Sequence, residues 1–258
     1  MASRSTRSRT ALVTGAARRI GRAIAEELGR VGWAVAVHHN DSTSDAAETV
    51  KTIERSGGRA EMFSADFNDE DQAAGLIPAV AEKLGPVTCL VNNASIFEYD
   101  SPQSATRESW DAHMLINLRI PFVLSQALAR HLPDGETANI INIIDQRVWN
   151  LTPHFTSYTL SKAGLWTLTQ TLAMAFAPRI RVNAIGPGPV LPSPRQTEEQ
   201  FEAQWSELPL KRRTEPEEIA AAVRFILDVP ALTGQMIALD GGQHLGSAPV
   251  ELRHLSVE

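Results

Sequence analysis

Residues 11–21, Ala11-Leu12-Val13-Thr14-Gly15-Ala16-Ala17-Arg18-Arg19-Ile20-Gly21, decide the fold. A short β-prone run leads straight into a glycine-bearing turn, and the helical pattern Ala23–Leu28 follows at once. In such a strand–turn–helix unit the glycines let a backbone approach a pyrophosphate, and the free N–H groups at the helix start attract its charge. Gly15, Arg18, Ile20 and Gly21 are therefore candidate contacts to a dinucleotide. Arg19 stands where the usual three-glycine fingerprint has a small residue, and the plain alternative is an ordinary strand–helix connection.

The same alternation continues to the end of the chain. Apolar runs at 33–37, 60–64, 87–91, 138–144, 180–185 and 235–239 alternate with helical patterns, which predicts one α/β domain with a parallel sheet of about seven strands. Val87–Val91 is almost continuously apolar, as expected of a strand covered on both faces. With 258 residues, 43% of them hydrophobic, the chain has ample material for one large core. A net charge of −6 gives no general attraction to nucleic acid or anionic membranes. The single cysteine, Cys89, excludes an internal disulfide framework and a cysteine-rich zinc site, and it suits a reducing cytoplasm. No apolar run is long enough to span a bilayer, and no secretory signal is read at the start. Residues 1–9 and 246–258 are expected to be tails around a reductase-sized domain at 10–245, residues 1–9 having a transit peptide as their other reading. No metal site is expected.

The strand ends carry the remaining nucleotide signals. The second strand runs into His38-His39-Asn40-Asp41-Ser42, where a dinucleotide-binding fold meets the adenosine ribose. His39 and Asn40, with Arg18 and Ser42, favour the extra phosphate of NADP, Asp41 argues for NAD, and His38 is a further candidate contact to the cofactor. NADPH is the expected cofactor and NADH the less favoured one. Asp66, after the third strand, either bonds the adenine amino group or caps the helix that follows. Asn93, Ala94 and Ser95 form the polar exit of the fourth strand, and Asn117 sits amid apolar residues of a helix predicted over 109–132 and bent by Pro121.

Tyr158 and Lys162 are four residues apart, so one helix places both on the same face. An ammonium beside a phenol favours the phenolate and lowers a pKa that is otherwise about 10, making Tyr158 a candidate general acid or base. Asp145 lies thirteen residues earlier, at the end of the fifth strand. Residues 191–216, rich in Pro, Glu and Gln, read as a substrate-covering lid with a short helix around Phe201 and Trp205.

From Thr10 to about Gly242 the order of these signals resembles the short-chain dehydrogenase/reductase superfamily. The resemblance implies a doubly wound Rossmann-type sheet, a nicotinamide cofactor and a homotetramer. It also implies that Tyr158 donates the proton, that Lys162 holds the nicotinamide ribose and lowers the tyrosine pKa, and that Asn117 anchors a relay water. Asn93, Ala94, Pro187 and Gly188 would line the cofactor. Most members have serine where this chain has Asp145. An ionised carboxylate only accepts hydrogen bonds and would repel an oxyanion, so it suits a substrate rich in N–H donors.

With Asp145, the arginine in the glycine turn and Asn-Asn-Ala-Ser ahead of Phe97, the chain is similar to the pteridine reductases. That branch implies substrate contacts from Arg19 and Phe97, the ring stacking on a pterin, and reduction of a dihydropterin such as dihydromonapterin, dihydrobiopterin or dihydrofolate. The alternative is a reductase or dehydrogenase of a carbonyl or alcohol, a sugar alcohol or 3-oxoacyl thioester, with Ser157 or another group standing in for the missing serine. A nucleotide-binding regulator without catalysis is the third reading.

Overall fold

The computed structural model describes residues 9–193 and 195–246, so most of both expected tails lies outside the described residues. Seven parallel strands form one sheet: β1 (Thr10–Val13), β2 (Ala34–His39), β3 (Arg59–Ser64), β4 (Val87–Asn92), β5 (Ala138–Ile143), β6 (Ile180–Pro187) and β7 (Met236–Leu239). Their order is β3-β2-β1-β4-β5-β6-β7. The chain winds outward from β1 in one direction and from β4 in the other. The turns leaving β1 and β4 therefore part at the carboxyl edge, which opens a crevice for a ligand.

Strand residues alternate between two cores. Leu12, Leu90, Ile140 and Val182 face helices α3 (Glu70–Leu84) and α5 (Ile120–His131), while Val13, Val91, Ile141 and Ile185 face α1 (Arg19–Arg30) and α8 (Pro216–Asp228). Because each side of the sheet is covered, Ala11–Val13 of β1 and Cys89–Val91 of β4 are apolar on both faces, whereas the edge strand β3 keeps Arg59, Glu61 and Ser64 only partly buried or exposed. α2 (Thr43–Arg55) packs on the same side as α1, through Ile53.

The expected helix over 109–132 is two helices. α4 (Arg107–Met114) passes into a π-helical segment, Leu115–Arg119, before α5 begins with Pro121 in its first turn. The extra residue in that π turn, rather than the proline alone, redirects the chain at Asn117. α6 (Thr156–Phe176) carries Tyr158 and Lys162. In the 191–216 stretch, α7 (Glu198–Ser206) is closed at its start by a capping box between Thr197 and Gln200. Among the described residues no helix is long and apolar enough to cross a membrane.

Candidate active site

The glycine turn is fixed from three sides. Gly15 has φ +61°, and its N–H donates to Nδ1 of His38 at 3.0 Å. Thr14 Oγ1 accepts from the backbone N–H groups of both Asn93 and Ala94 at 2.9 Å, tying this turn to the exit of β4. A Cβ on Gly21 would lie 2.2 Å from the Gly15 carbonyl oxygen, so only glycine lets α1 start this close to the turn. α1 itself has no side-chain cap and no acidic residue in its first turn. Its leading N–H groups are thus left for an anion, which is the fit a dinucleotide pyrophosphate requires.

Arg19 occupies the left-handed region, φ +55°, at a cost of about 1–2 kcal/mol for a residue with a side chain. Its guanidinium reaches the first lid residues, donating to the carbonyls of Leu191 at 3.1 Å and Pro192 at 3.0 Å. Arg18 turns the other way and meets Ser42 Oγ at 2.5 Å, with Asp45 3.4 Å away. Asn40 and Asp41 are exposed beside them. Arg18, Asn40 and Ser42 therefore share one patch at the end of β2.

His38 departs from the expected direct contact, and Asp66 from the helix-capping one. His38 is buried and both ring nitrogens are spent within the protein, Nδ1 on Gly15 and Nε2 facing the Ala65 carbonyl at 3.1 Å. Burial lowers its pKa to about 4, so the ring stays neutral and props the turn from behind, stacked on Phe67 at 4.2 Å. Asp66 does not cap α3 either. Asp69 does, accepting from the N–H groups of Asp71 and Gln72, whereas Asp66 Oδ1 closes its own turn with Asn68.

Across the crevice, Asp145, Tyr158 and Lys162 line one cavity of about 310 Å³, together with Arg19, Ile20, Asn93, Ser95, Phe97, Pro187 and Gly188. Tyr158 Oη donates to Asp145 Oδ2 at 3.0 Å, and Asp145 Oδ1 accepts the Arg147 N–H at 2.7 Å. Lys162 Nζ donates to the Ile143 carbonyl at 2.9 Å and lies 5.8 Å from the Tyr158 ring centre. Burial lowers its pKa to about 8. Burial also raises the Asp145 carboxyl.

The tyrosine pKa moves opposite to expectation. Burial first, and then the Asp145 carboxyl, push it well above 10, outweighing the opposing charge of Arg147. In the protein alone Tyr158 is a neutral phenol that holds its proton.

Asn117 is fully buried and its amide is saturated. Oδ1 accepts from Ser95 Oγ and the Ile96 N–H, and Nδ2 donates to the Ile96 carbonyl and Ser161 Oγ. Any water it holds must sit on its backbone carbonyl, to which Pro121 offers no N–H. Phe97 stacks on Phe155 at 4.3 Å and meets Tyr158 edge-on at 4.7 Å.

The substitute role for Ser157 is excluded by its position. It is fully buried, its hydroxyl donates to Asp100 Oδ2, and His113 Nδ1 lies 2.7 Å from the same oxygen. Asp100 Oδ1 accepts the Ser157 N–H at 3.1 Å, so a carboxylate from the loop after β4 caps α6, whose own first turn has no acid. Asp100→Ala strips that cap and leaves buried donors unpaired, and it should destabilise the fold by about 2–3 kcal/mol. A lowered urea midpoint is the check; an unchanged midpoint would show that the cap carries no weight.

A family model described as enoyl-(acyl carrier protein) reductase matches residues 15–244. The chain belongs to the short-chain dehydrogenase/reductase superfamily. Its fold is similar to that of the FolM alternative dihydrofolate reductase 1 from Brucella suis, solved in complex with NADP, with a TM-score of 0.89 and 48% identity over 92% of this chain and 96% of that one. Among curated relatives, glucose 1-dehydrogenase 2 of Bacillus subtilis is 31% identical over 94% of this chain and 97% of its own length. A 3-oxoacyl-[acyl-carrier-protein] reductase of Synechocystis sp. is 33% identical over 91% and 96%.

As an oxidoreductase of this superfamily, the chain surrounds its crevice with residues that sequence reasoning passed over. Gln146 and Arg147, next to Asp145, line the cavity, and so do Gln196 and Gln204 from the lid and Gln243 from beyond β7. Adjacency to Asp145 was a usable signal for the first two. The Asp100–Ser157–His113 cluster had none, since its members are far apart in the chain.

Proposed function

We propose that this superfamily member reduces a dihydropterin or related pteridine with NADPH, in the cytoplasm and as a homotetramer. The observation that carries the reading is the Tyr158 hydroxyl bonded to the Asp145 carboxyl inside the crevice, where a ketone reductase needs a hydroxyl donor for an oxyanion. The likeness to a dihydrofolate reductase with NADP supports the same substrate class.

NADPH, seated on the glycine turn, would supply a hydride to a ring C=N carbon. Arg18 and Ser42 offer donors to its extra phosphate, with Asn40 beside them, and the uncapped start of α1 faces its pyrophosphate. Ser95, Pro187 and Gly188 line the nicotinamide end of the cavity, while Ala94 fixes the turn through Thr14. Lys162 keeps two N–H donors beyond the one given to Ile143, enough to hold ribose hydroxyls. Tyr158, neutral in its buried site, gives its proton to the ring nitrogen as negative charge develops there. Asp145 accepts from ring N–H groups, and its raised pKa lets it pass a proton on as well. Phe97 and Arg19 border the space left for the heterocycle.

The carbonyl or alcohol reading draws on the sugar dehydrogenase and 3-oxoacyl reductase relatives. Ser157, the candidate to replace the missing serine, is sealed away. A thermal-shift screen separates the two, because a ligand that binds only the folded protein raises its apparent stability. NADPH is expected to stabilise more than NADH, and a diaminopteridine to add a further shift only when NADPH is present. Stabilisation by NADPH with none from any pteridine would reject the pterin reading and leave the carbonyl one.

A further inference from the structure

The loop that carries Phe97 is tied to α4 by a buried histidine. His113 is fully buried, and its Nε2 accepts the Glu98 N–H at 3.2 Å. Because an amide only donates, that nitrogen carries no hydrogen. The hydrogen is therefore on Nδ1, which donates to the Ser109 carbonyl at 2.9 Å and faces the Ser157 hydroxyl oxygen at 2.7 Å. One imidazole thus joins α4, the loop after β4 and the start of α6 beside Tyr158. Its ring also stands edge-on to the Tyr158 ring, with centres 6.0 Å apart. Four residues on, Asn117 holds the N–H and the carbonyl of Ile96. The two side chains therefore grip the peptide bonds on either side of Phe97. One helical turn rises about 5–6 Å, within the roughly 7 Å that two residues of open chain can span, so the two grips are in step.

We propose that His113 is a positioning residue for the reaction: with Asn117 it fixes the peptides flanking Phe97, and so sets the gap between that ring and the Tyr158 hydroxyl. The gap matters because both rings border the same cavity. A reactant displaced by about 1 Å from its proton donor loses on the order of a hundredfold in rate. A leucine in place of His113 would be buried as readily, yet it would leave the Glu98 N–H without its partner and the Phe97 loop tied to the helix at Ile96 alone. The inference rests on the pterin reading for its substrate. It adds a determinant of alignment that stands outside the crevice, since His113 does not line the cavity.

The test compares His113→Leu with two amides: His113→Gln, long enough to offer an oxygen to the Glu98 N–H, and His113→Asn, which reaches only the Ser157 side. With NADPH bound, His113→Leu and His113→Asn are expected to lower kcat for 7,8-dihydrobiopterin about tenfold or more, and to weaken 2,4-diaminopteridine binding by a similar factor. His113→Gln should stay within about threefold of the wild type on both. NADPH affinity, read by quenching of protein fluorescence, should stay within a few-fold in all three, which shows that each is folded and holds its cofactor. If His113→Leu does not fold, the two amide variants decide. Equal losses in His113→Gln and His113→Asn, or wild-type values in His113→Asn, overturn the assignment while the pterin reading stands. A wild-type protein that neither binds the diaminopteridine nor reduces dihydrobiopterin brings down the pterin reading itself, and the same pattern of losses is then read on reduction of an activated diketone.

Discussion

Tyr158→Phe is expected to lower kcat for dihydropterin reduction by about two to four orders of magnitude, the usual worth of a positioned proton donor. NADPH affinity should stay within a few-fold. The ring keeps its edge-on contact with Phe97, and only the hydroxyl bonded to Asp145 is lost. The size of the effect follows from the neutral state of the phenol. Burial and Asp145 hold the proton on Tyr158, so the group is loaded as an acid before substrate arrives. Single-turnover rates with bound NADPH give the cleanest measurement, and a rate unchanged in the variant would sink the mechanism. Relief of the carboxyl from its phenolic partner predicts a second sign, a shift in the acid limb of the pH–rate profile.

Asp145→Ser should invert the preference of the site. Pteridine reduction loses a charged acceptor, expected to lower kcat/KM about 30- to 100-fold on the scale of a hydrogen bond to an ionised group. Reduction of an activated diketone should hold steady or rise, because a serine hydroxyl can donate to a carbonyl oxygen that the carboxylate repels. Comparing the two substrates in one variant removes any general loss of stability from the reading. Equal losses on both would show that Asp145 matters to the fold of the turn, through its bond to the Arg147 N–H, and not to the choice of substrate.

The fold was legible because its signals are local. The strand–turn–helix at 11–21 and the regular alternation after it depend on neighbours in the chain, and the seven-stranded sheet follows. Asp145, Tyr158 and Lys162 were legible because a strand end and a helix spacing place them. What could not be read depends on contacts between distant segments. The π turn at Asn117 is a packing outcome that Pro121 alone does not encode. The direction of the Tyr158 pKa depends on burial, which the four-residue spacing to Lys162 does not reveal. His38 carries the right residue type for a nucleotide contact but points inward because Gly15 and Ala65 flank it.

The loop after β4 has a bearing on how this crevice can change over time. One short stretch supplies Phe97 against the Tyr158 ring and Asp100 beneath the start of α6, and Phe155 locks the two together by stacking. The Phe97 wall and the Tyr158 hydroxyl, the proposed acid, are thus held as a single block, to which Asp145 and Arg147 are joined from the turn after β5 and Arg195 from the lid. Gln196 and Gln204 of the lid, bonded to each other, line the crevice outside it. Substitution at those two positions is expected to redraw the menu of acceptable molecules while the proposed chemistry keeps its alignment.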